Sequence, residues 1–286
     1  RDRAWSSTAR GLLRLRSGRD SGSETPRAGG LNTVDQEQLR AFRETAHRFT
    51  QREVSPLLDA EGRNGDLDRL PRVVGLAEET GLMAGTTEES PGYEWGVWGR
   101  ASRSEGPEAS VAILEEIARG CAGVATCIHI AGMGAEGLPE GEASLARPVV
   151  AFRNAAWRLD EENLTTPPES APKLDSNNDE HRCSGQLSFV PRLPKCDGYL
   201  LWISRDSKWV PVIVADGEEG LATRNMGHRL GLAAAELVEL ELDNVRVIPL
   251  DSPSSFTSML RRFSLGLTAI ALGNAHGALG AARLYA

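Results

Sequence analysis

The spacing of apolar residues changes twice along this chain, and those changes limit the folds it can adopt. From Val34 to about Gly141 apolar residues recur every three to four positions, as in amphipathic helices. Between Arg147 and Asp251 they form short β-rich runs separated by turn residues, which is typical of an antiparallel barrel or sandwich. Helical spacing returns after Pro253. The sequence therefore predicts an α+β multidomain protein with an N-terminal helical domain, a middle antiparallel β-barrel or sandwich domain, and an incomplete C-terminal helical bundle.

The predicted domain boundaries follow the same changes. We expect an N-terminal helical domain over 31–146, a β domain over 147–252 and the start of a C-terminal helical domain over 253–286. Residues 1–30 differ from the rest because they are rich in Arg, Ser and Gly and poor in acids. Such a segment predicts either a disordered basic tail or a mitochondrial-type leader.

Charge and cysteine usage exclude several classes of protein. The chain has 40 acidic and 32 basic residues, a net charge of −8, and its basic N-terminal segment leaves the body more acidic still. An acidic body argues against nucleic-acid binding, which needs a basic face. The sequence has no apolar run of about 18 residues that could span a membrane. The four cysteines form no CxxC pair and indicate reduced thiols and no metal site, so we expect a cytoplasmic protein, or a mitochondrial matrix protein if the N-terminus is a leader.

Isolated polar residues give weak signals. His129 lies between Ile128 and Ile130, which favours a buried histidine with satisfied hydrogen bonds over a ligand. Glu115 and Glu116 are adjacent on a predicted helix and face different directions, so we expect solvated charges rather than a pair of catalytic carboxylates.

Four segments resemble, in their order along the chain, the acyl-CoA dehydrogenase family. The first is a helix ending in a Gly-Leu turn (Leu76–Gly85), and the second is the helix after it (Ala112–Arg119). The third is a Leu-Gly-Leu turn that leads into a strand ending in Val-x-Pro (Arg229–Pro249), and the fourth is a small-residue helix (Ala269–Ala286). The resemblance extends from about Val34 to Ala286.

This resemblance implies a fold and a chemistry. The family has an N-terminal helical domain, a middle β domain and a C-terminal four-helix bundle, and it assembles as dimers or tetramers. In these enzymes a carboxylate removes the α-proton of an acyl-CoA thioester while FAD takes the β-hydride, giving a 2-enoyl-CoA. The implied partners are an acyl-CoA substrate, further acyl-CoA dehydrogenase-like subunits in a homo- or hetero-oligomer, and an electron-transfer flavoprotein.

The resemblance also assigns flavin contacts, with departures from the family pattern. The segment corresponding to the first flavin strand, Val149–Trp157, lacks the Thr/Ser-Glu-Pro triplet of the family. In the second, Gly185–Pro191, Phe189 either packs on the flavin ring or is an ordinary core residue of its strand, whereas Pro191 replaces a hydrogen-bonding Thr or Ser. The candidate cofactor-binding residues are Phe152, Asn154, Phe189, Val190 and Pro191.

No catalytic base is assigned. Where some family members carry a catalytic Glu, this chain has Phe263 beside Arg261 and Arg262. Two hypotheses follow: a flavoprotein subunit whose FAD site and base are completed by a partner chain or a longer natural sequence, or a non-catalytic structural or regulatory subunit of the same fold. FAD is then bound by this chain, shared with a partner, or owned by the partner.

The C-terminal helix predicts association. A single helix cannot cover its own apolar face, and we expect Leu265, Leu267, Ile270 and Leu272 to be exposed on it. Such a patch usually marks an interface, so the chain is predicted to form an oligomer.

Overall fold

The computed structural model describes most of the chain from residue 36 to residue 284. The described ranges are 36–59, 70–83, 96–99, 106–138, 148–151, 165–177, 180–193, 196–227, 232, 234–251 and 255–284. The N-terminal segment 1–30 and the candidate residues Phe152 and Asn154 lie outside them.

The N-terminal region is helical, as predicted. Its helices are α1 (Gln36–Phe49), α2 (Ser55–Asp59), α3 (Leu70–Glu79), α4 (Pro107–Gly120) and α5 (Ala122–Gly137), with a π-helical turn at Thr50–Val54 between α1 and α2. On α1 the predicted apolar stripe faces inward, with Ala46 and Phe49 fully buried. Gly81 ends α3 with a positive φ of 74°, which a residue without Cβ adopts easily.

Helix α5 lies in the middle of the core. Every residue from Gly123 to its end is buried, and most of these residues are small and apolar. Gly132 explains how close that packing is, because a Cβ atom there would lie 1.8 Å from the carbonyl oxygen of Val97. Small residues let neighbouring backbone approach α5 on several sides.

The middle region forms one sheet from the described strands. They are β1 (Pro148–Ala151), β2 (Lys173–Asn177), β3 (Glu180–Arg192), β4 (Gly198–Arg205), β5 (Lys208–Ala215), β6 (Leu221–Asn225), β7 (Glu236–Arg246) and β8 (Ile248–Pro249). The order is β6-β7-β3-β2-β4-β5-β8, and β1 also pairs with β4.

The sheet is mixed, whereas the sequence predicted antiparallel pairing. β1 and β2 both run parallel to β4, and the other pairings are antiparallel. β2 lies in a polar, proline-containing stretch whose composition does not indicate a strand. Alternation of apolar residues indicates that a segment is extended, but it does not indicate whether the neighbouring strand runs parallel or antiparallel. The parallel pairs could therefore not be predicted from the sequence.

The C-terminal region is a single long helix, α6 (Phe256–Leu284). Its inner face packs on α4, and a Cβ atom at Gly273 would lie 2.1 Å from the carbonyl oxygen of Glu115. Ile270, predicted to be exposed, is 5% exposed and faces inward, whereas Leu265, Leu267 and Leu272 are exposed as predicted. Ile270 lies on the α4 side of the helix, four residues from the buried Gly266. The predicted order of helical, β and helical regions is confirmed.

Candidate functional site

A strained bulge interrupts β3 at the segment that the resemblance assigns to the flavin. The pairing of β3 with β7 shifts register between Leu187 and Val190. Within the shift, Phe189 has a φ of 60° and its side chain is 38% exposed. A bulky residue with positive φ costs free energy, and such strain persists where the surrounding structure enforces it, often at binding sites.

Hydrogen bonds from two residues of the bulge to residues on or beside neighbouring strands hold its backbone in place. The backbone N–H of Phe189 donates to the Sδ of Met226 over 3.4 Å. Ser188 is buried, and its hydroxyl donates to Oε1 of Glu239 over 3.2 Å. Glu239 is itself held by Arg224, which also reaches Glu241 over 2.7 Å. These contacts fix the backbone that presents the Phe189 ring.

The other predicted flavin contacts on β3 face the core. Val190 is 2% exposed and Pro191 is also buried, opposite Leu237 of β7. Proline has no backbone N–H to donate. Of the three β3 candidates, only Phe189 therefore offers a surface to a ligand.

A second cluster joins α5 to α6, and we call it the His129 joint: Trp98, His129, Phe263 and Gly266. His129 is fully buried. Its Nδ1 accepts a hydrogen bond from Nε1 of Trp98 over 2.8 Å, and its Nε2 donates to the carbonyl oxygen of Phe263 over 3.1 Å. Trp98 can only donate and the carbonyl can only accept, so the neutral ring with its proton on Nε2 fits both contacts.

Burial lowers the pKa of His129 to about 4, and the hydrogen bond to Phe263 only partly opposes this effect. The prediction of a buried, satisfied histidine is thus confirmed. Its ring also stacks on Phe263, with centroids 5.3 Å apart. Both ring nitrogens are engaged, so His129 is not available as a proton acceptor for a substrate.

A carboxylate of α5 and an arginine of α6 meet beside Phe263. Glu136 of α5 is fully buried and forms an ion pair with Arg262, whose side chain is partly exposed. Neither carboxylate oxygen of Glu136 has a hydrogen-bond partner among the described residues, so the arginine contact is what offsets the cost of burying this charge. The place that the family resemblance assigned to a catalytic Glu is therefore part of a structural contact between α5 and α6.

Glu115 and Glu116 anchor two other helices on α4. Glu116 pairs with His47 of α1 over 2.6 Å, and Glu115 pairs with His276 of α6 over 3.1 Å. The two carboxylates point to different neighbours, as predicted. They are not freely solvated, since their side chains are only 18% and 12% exposed for Glu115 and Glu116 respectively. Sequence alone did not place the two histidines opposite them.

The cysteines are thiols without catalytic character. Burial raises the pKa of Cys127 and of Cys183 to about 12 and that of Cys196 to about 11. The nucleophilic form of cysteine is the thiolate, so these groups are inert at neutral pH. All four cysteines are free, and no described group of histidines, cysteines and carboxylates could hold a metal ion.

Comparison with known proteins agrees with this architecture. Residues 36–139 match the acyl-CoA dehydrogenase N-terminal domain. A glutaryl-CoA dehydrogenase from Mycobacterium smegmatis in complex with FADH2 is similar in structure, with a TM-score of 0.67 at 16% identity over 88% of this chain and 66% of that one. Butyryl-CoA dehydrogenase from Megasphaera elsdenii gives a TM-score of 0.61 at 17% identity over 90% of this chain and 70% of that one.

A third similar chain comes from a structure described as the electron transferring flavoprotein of Acidaminococcus fermentans. Its TM-score is 0.65 at 16% identity, over 88% of this chain and 69% of that one. No curated protein matches the sequence. This chain thus spans about two thirds of the length of the solved structures that it matches.

These likenesses define the class: the described chain has the acyl-CoA dehydrogenase fold. The resemblance read from the sequence is confirmed at this level. Among the described helices none is both long and apolar enough to cross a membrane.

Proposed function

We propose that this chain is an acyl-CoA dehydrogenase-like flavoprotein subunit. It would take part in FAD-dependent α,β-dehydrogenation of an acyl-CoA thioester, with a partner chain completing the site. The observation that carries the proposal is Phe189, an exposed aromatic ring held at positive φ in a bulge. The bulge lies in the segment where the family contacts its flavin.

The described residues fit one face of a flavin. The Phe189 ring can stack on a flat heterocycle, and Met226 and Ser188 fix the backbone beneath it. Pro191 is buried and lacks an N–H, so the hydrogen bonds to the polar edge of the flavin must come from elsewhere. We propose Phe152 and Asn154 as further contacts, together with Val190 as packing beneath the bulge.

The chemistry divides between this chain and its partner. FAD, when bound, supplies the hydride acceptor. This chain positions and shields the ring through Phe189, while the His129 joint holds α6 rigidly on α5. The proton acceptor at the α-carbon would come from a partner chain or from a longer natural sequence. Among the described residues, Phe263 has no carboxylate, His129 uses both nitrogens, and Glu136 is paired with Arg262.

A non-catalytic role is the second candidate, and the joint favours it. Phe263 stacks on His129 where a base would be needed, and this contact stabilises the helix interface without serving catalysis. In that case the chain would be a structural or regulatory partner of another acyl-CoA dehydrogenase-like subunit. An electron-transfer flavoprotein would then contact the catalytic partner. The chain would lie in the same compartment as that partner, either the cytoplasm or the mitochondrial matrix.

Flavin titration of the purified chain separates these functions. We expect FAD to bind with absorbance bands near roughly 370 and 450 nm, which are those of oxidised flavin. Phe189→Ala should weaken binding at least about tenfold, because base–aromatic stacking contributes on the order of 1–3 kcal/mol. Leu267→Ala is the matched control, since Leu267 is 39% exposed against 38% for Phe189 but lies on α6.

The outcomes are distinct. Bleaching of the bound flavin by butyryl-CoA or glutaryl-CoA, only in the presence of a dehydrogenase-like partner, would support the catalytic subunit. Flavin binding by neither the chain nor its complex would overturn the proposal and favour the non-catalytic role. An equal loss of affinity in Phe189→Ala and Leu267→Ala would exclude the bulge as the flavin contact.

A further inference from the structure

Met226 contributes the sulfur atom that contacts the bulge of β3, and it is the most exposed of the methionines. The chain has four methionines, and Met83, Met133 and Met259 are at most 1% exposed. Met226 is partly exposed. An oxidant in solution must reach a thioether sulfur before it can oxidise it, so Met226 should react first.

The backbone around Met226 is fixed by hydrogen bonds. The N–H of Met226 donates to the carbonyl oxygen of Leu237 over 3.0 Å, and the N–H of Gly227 donates to Oδ1 of Asn225 over 2.8 Å. Met226 directly follows β6, and β7 lies between β6 and β3 in the sheet. The side chain of Met226 therefore crosses β7 to bring its sulfur to Phe189.

The contact joins this sulfur to the strained residue itself. The N–H of Phe189 donates to Sδ of Met226 over 3.4 Å, and Phe189 has the positive φ of 60°. A thioether sulfur is a weak acceptor, so the bond gives only weak support to a strained backbone. A chemical change at the sulfur would therefore act directly on the residue that presents the aromatic ring.

Oxidation would change the length of this contact. A sulfoxide carries an oxygen atom on the sulfur, and it is polar where the thioether is nearly apolar. A hydrogen bond from the Phe189 N–H to that oxygen would itself span about 2.9 Å. The present distance of 3.4 Å between the nitrogen and the sulfur is too short to place the oxygen between them. Either the bulge or the Met226 side chain must then move.

We propose that Met226 is a reversible oxidation site that regulates how the bulge presents Phe189. Hydrogen peroxide is the oxidant: its O–O bond breaks, one oxygen atom bonds to Sδ, the sulfur gives up a pair of electrons, and water leaves. Methionine sulfoxide reductases reverse the step at the expense of thiols. The effect on FAD rests on the proposed function, whereas the selective oxidation and the shift of the bulge do not.

Peroxide treatment of the full chain tests which methionine reacts. The four methionines fall in four different tryptic peptides, and the peptide with Met226 spans residues 225–229. Mass spectrometry measures the gain of one oxygen atom in each peptide. We expect Met226 to be oxidised at least about tenfold faster than the three buried methionines in the folded chain, and at a similar rate in urea.

Amide NMR spectra and flavin titration test what the oxidation does. The amide signal of Phe189 should shift when Met226 is oxidised and return after treatment with the reductases. FAD affinity should fall at least about fivefold in the oxidised chain, because the stacked ring is displaced, and it should recover with the amide signal.

Met226→Leu is the variant that cannot form a sulfoxide. Leucine has nearly the volume of methionine, so the side chain is replaced without a large cavity. The Phe189 amide and the FAD affinity of this variant should not respond to peroxide. Met259→Leu is the matched control at a fully buried methionine, and it should respond to peroxide as the wild type does. Circular dichroism checks that each variant is folded.

Three results would overturn the inference. They are oxidation of Met226 no faster than that of the buried methionines, selective oxidation that leaves the Phe189 amide unchanged, and an equal response to peroxide in Met226→Leu.

Failure of the proposed function would look different. If neither form of the chain binds flavin but Met226 is oxidised selectively and the Phe189 amide shifts, the proposed function is removed and the oxidation site stands. If both forms bind FAD equally well, the proposed function stands and the regulation by Met226 is overturned.

Discussion

The bulge at Phe189 and the His129 joint both hold an aromatic side chain in place by hydrogen bonds, but they differ in strain and in exposure. At the joint, His129 is buried, its two nitrogens have good partners, and Phe263 lies within an ordinary helix. At the bulge, Phe189 adopts a positive φ and remains partly open to solvent. The joint therefore lowers the free energy of the fold, whereas the bulge raises it and presents a ring.

This difference distinguishes a contact that stabilises the fold from one that is suited to binding. A buried polar group with all its hydrogen bonds made contributes to the stability of the fold, which is sufficient to account for it. Strain at a partly exposed aromatic residue is instead common at binding sites, which agrees with the flavin contact proposed for Phe189. Variants at the joint should accordingly lower the stability of the fold much more than variants at the bulge.

Removing the imidazole should have the largest effect. His129→Ala leaves a cavity and an unpaired Nε1 of Trp98, so we expect the free energy of unfolding to fall by roughly 4 kcal/mol. Urea unfolding followed by tryptophan fluorescence measures it. Phe189→Ala serves as the comparison and should cost less than about 1 kcal/mol. Similar losses in both variants would contradict the contrast between joint and bulge.

The pH dependence of stability should report the same histidine. In the unfolded chain His129 has its ordinary pKa of 6.5, whereas burial lowers this pKa to about 4 in the native state. The native state therefore favours the neutral ring, so this stabilisation is complete above pH 6.5 and is lost as the pH falls toward 4. The loss amounts to about 3 kcal/mol at 1.4 kcal/mol per pKa unit.

Unfolding titrations at pH 7 and pH 4.5 test this sign. His129→Gln, which does not titrate, should show a flatter profile than the wild type. A profile of His129→Gln as steep as that of the wild type would show that other groups cause the pH dependence.

Replacing each of two helical glycines by alanine should change stability less than His129→Ala does, and the two changes should have opposite signs. A Cβ atom at Gly266 would lie 2.2 Å from the His129 ring, so Gly266→Ala should destabilise the fold by about 2 kcal/mol. Apart from its chain neighbours and the backbone of α3, no described residue has an atom within 4 Å of a Cβ at Gly75, so Gly75→Ala should raise stability by about 0.5–1 kcal/mol. Thermal unfolding compares them, and a stabilised Gly266→Ala would mean that the joint is loosely packed.

The bulge should yield the smallest change in stability and a large change in binding. Phe189→Gly removes the strain of positive φ, and we expect stability to stay level or rise by about 0.5 kcal/mol despite the lost side chain. FAD affinity should fall at the same time. A clear loss of stability with normal flavin binding would show that Phe189 is a packing residue.

The sequence was sufficient for much of the helical framework. The helical spacing of apolar residues before residue 141 and the Gly-Leu turn after α3 predicted helices that are present, since these signals act over a few residues. His129 between two isoleucines was rightly predicted to be buried. The sequence did not show that Ile270 faces inward, because the side of a two-faced helix that is covered depends on the position of α4.

What the sequence by itself determined is thus the class of fold, the order of its regions and the chemical residues that are present or missing, such as phenylalanine in place of a base at 263. Only the tertiary structure decided which of them act together. Glu136 with Arg262, His129 with Phe263, and Ser188 with Glu239 are 126, 134 and 51 residues apart in sequence. The strain at Phe189 likewise follows from the register of β3 against β7. Local spacing governs helices and strands, whereas pairing, burial and strain depend on contacts between distant segments.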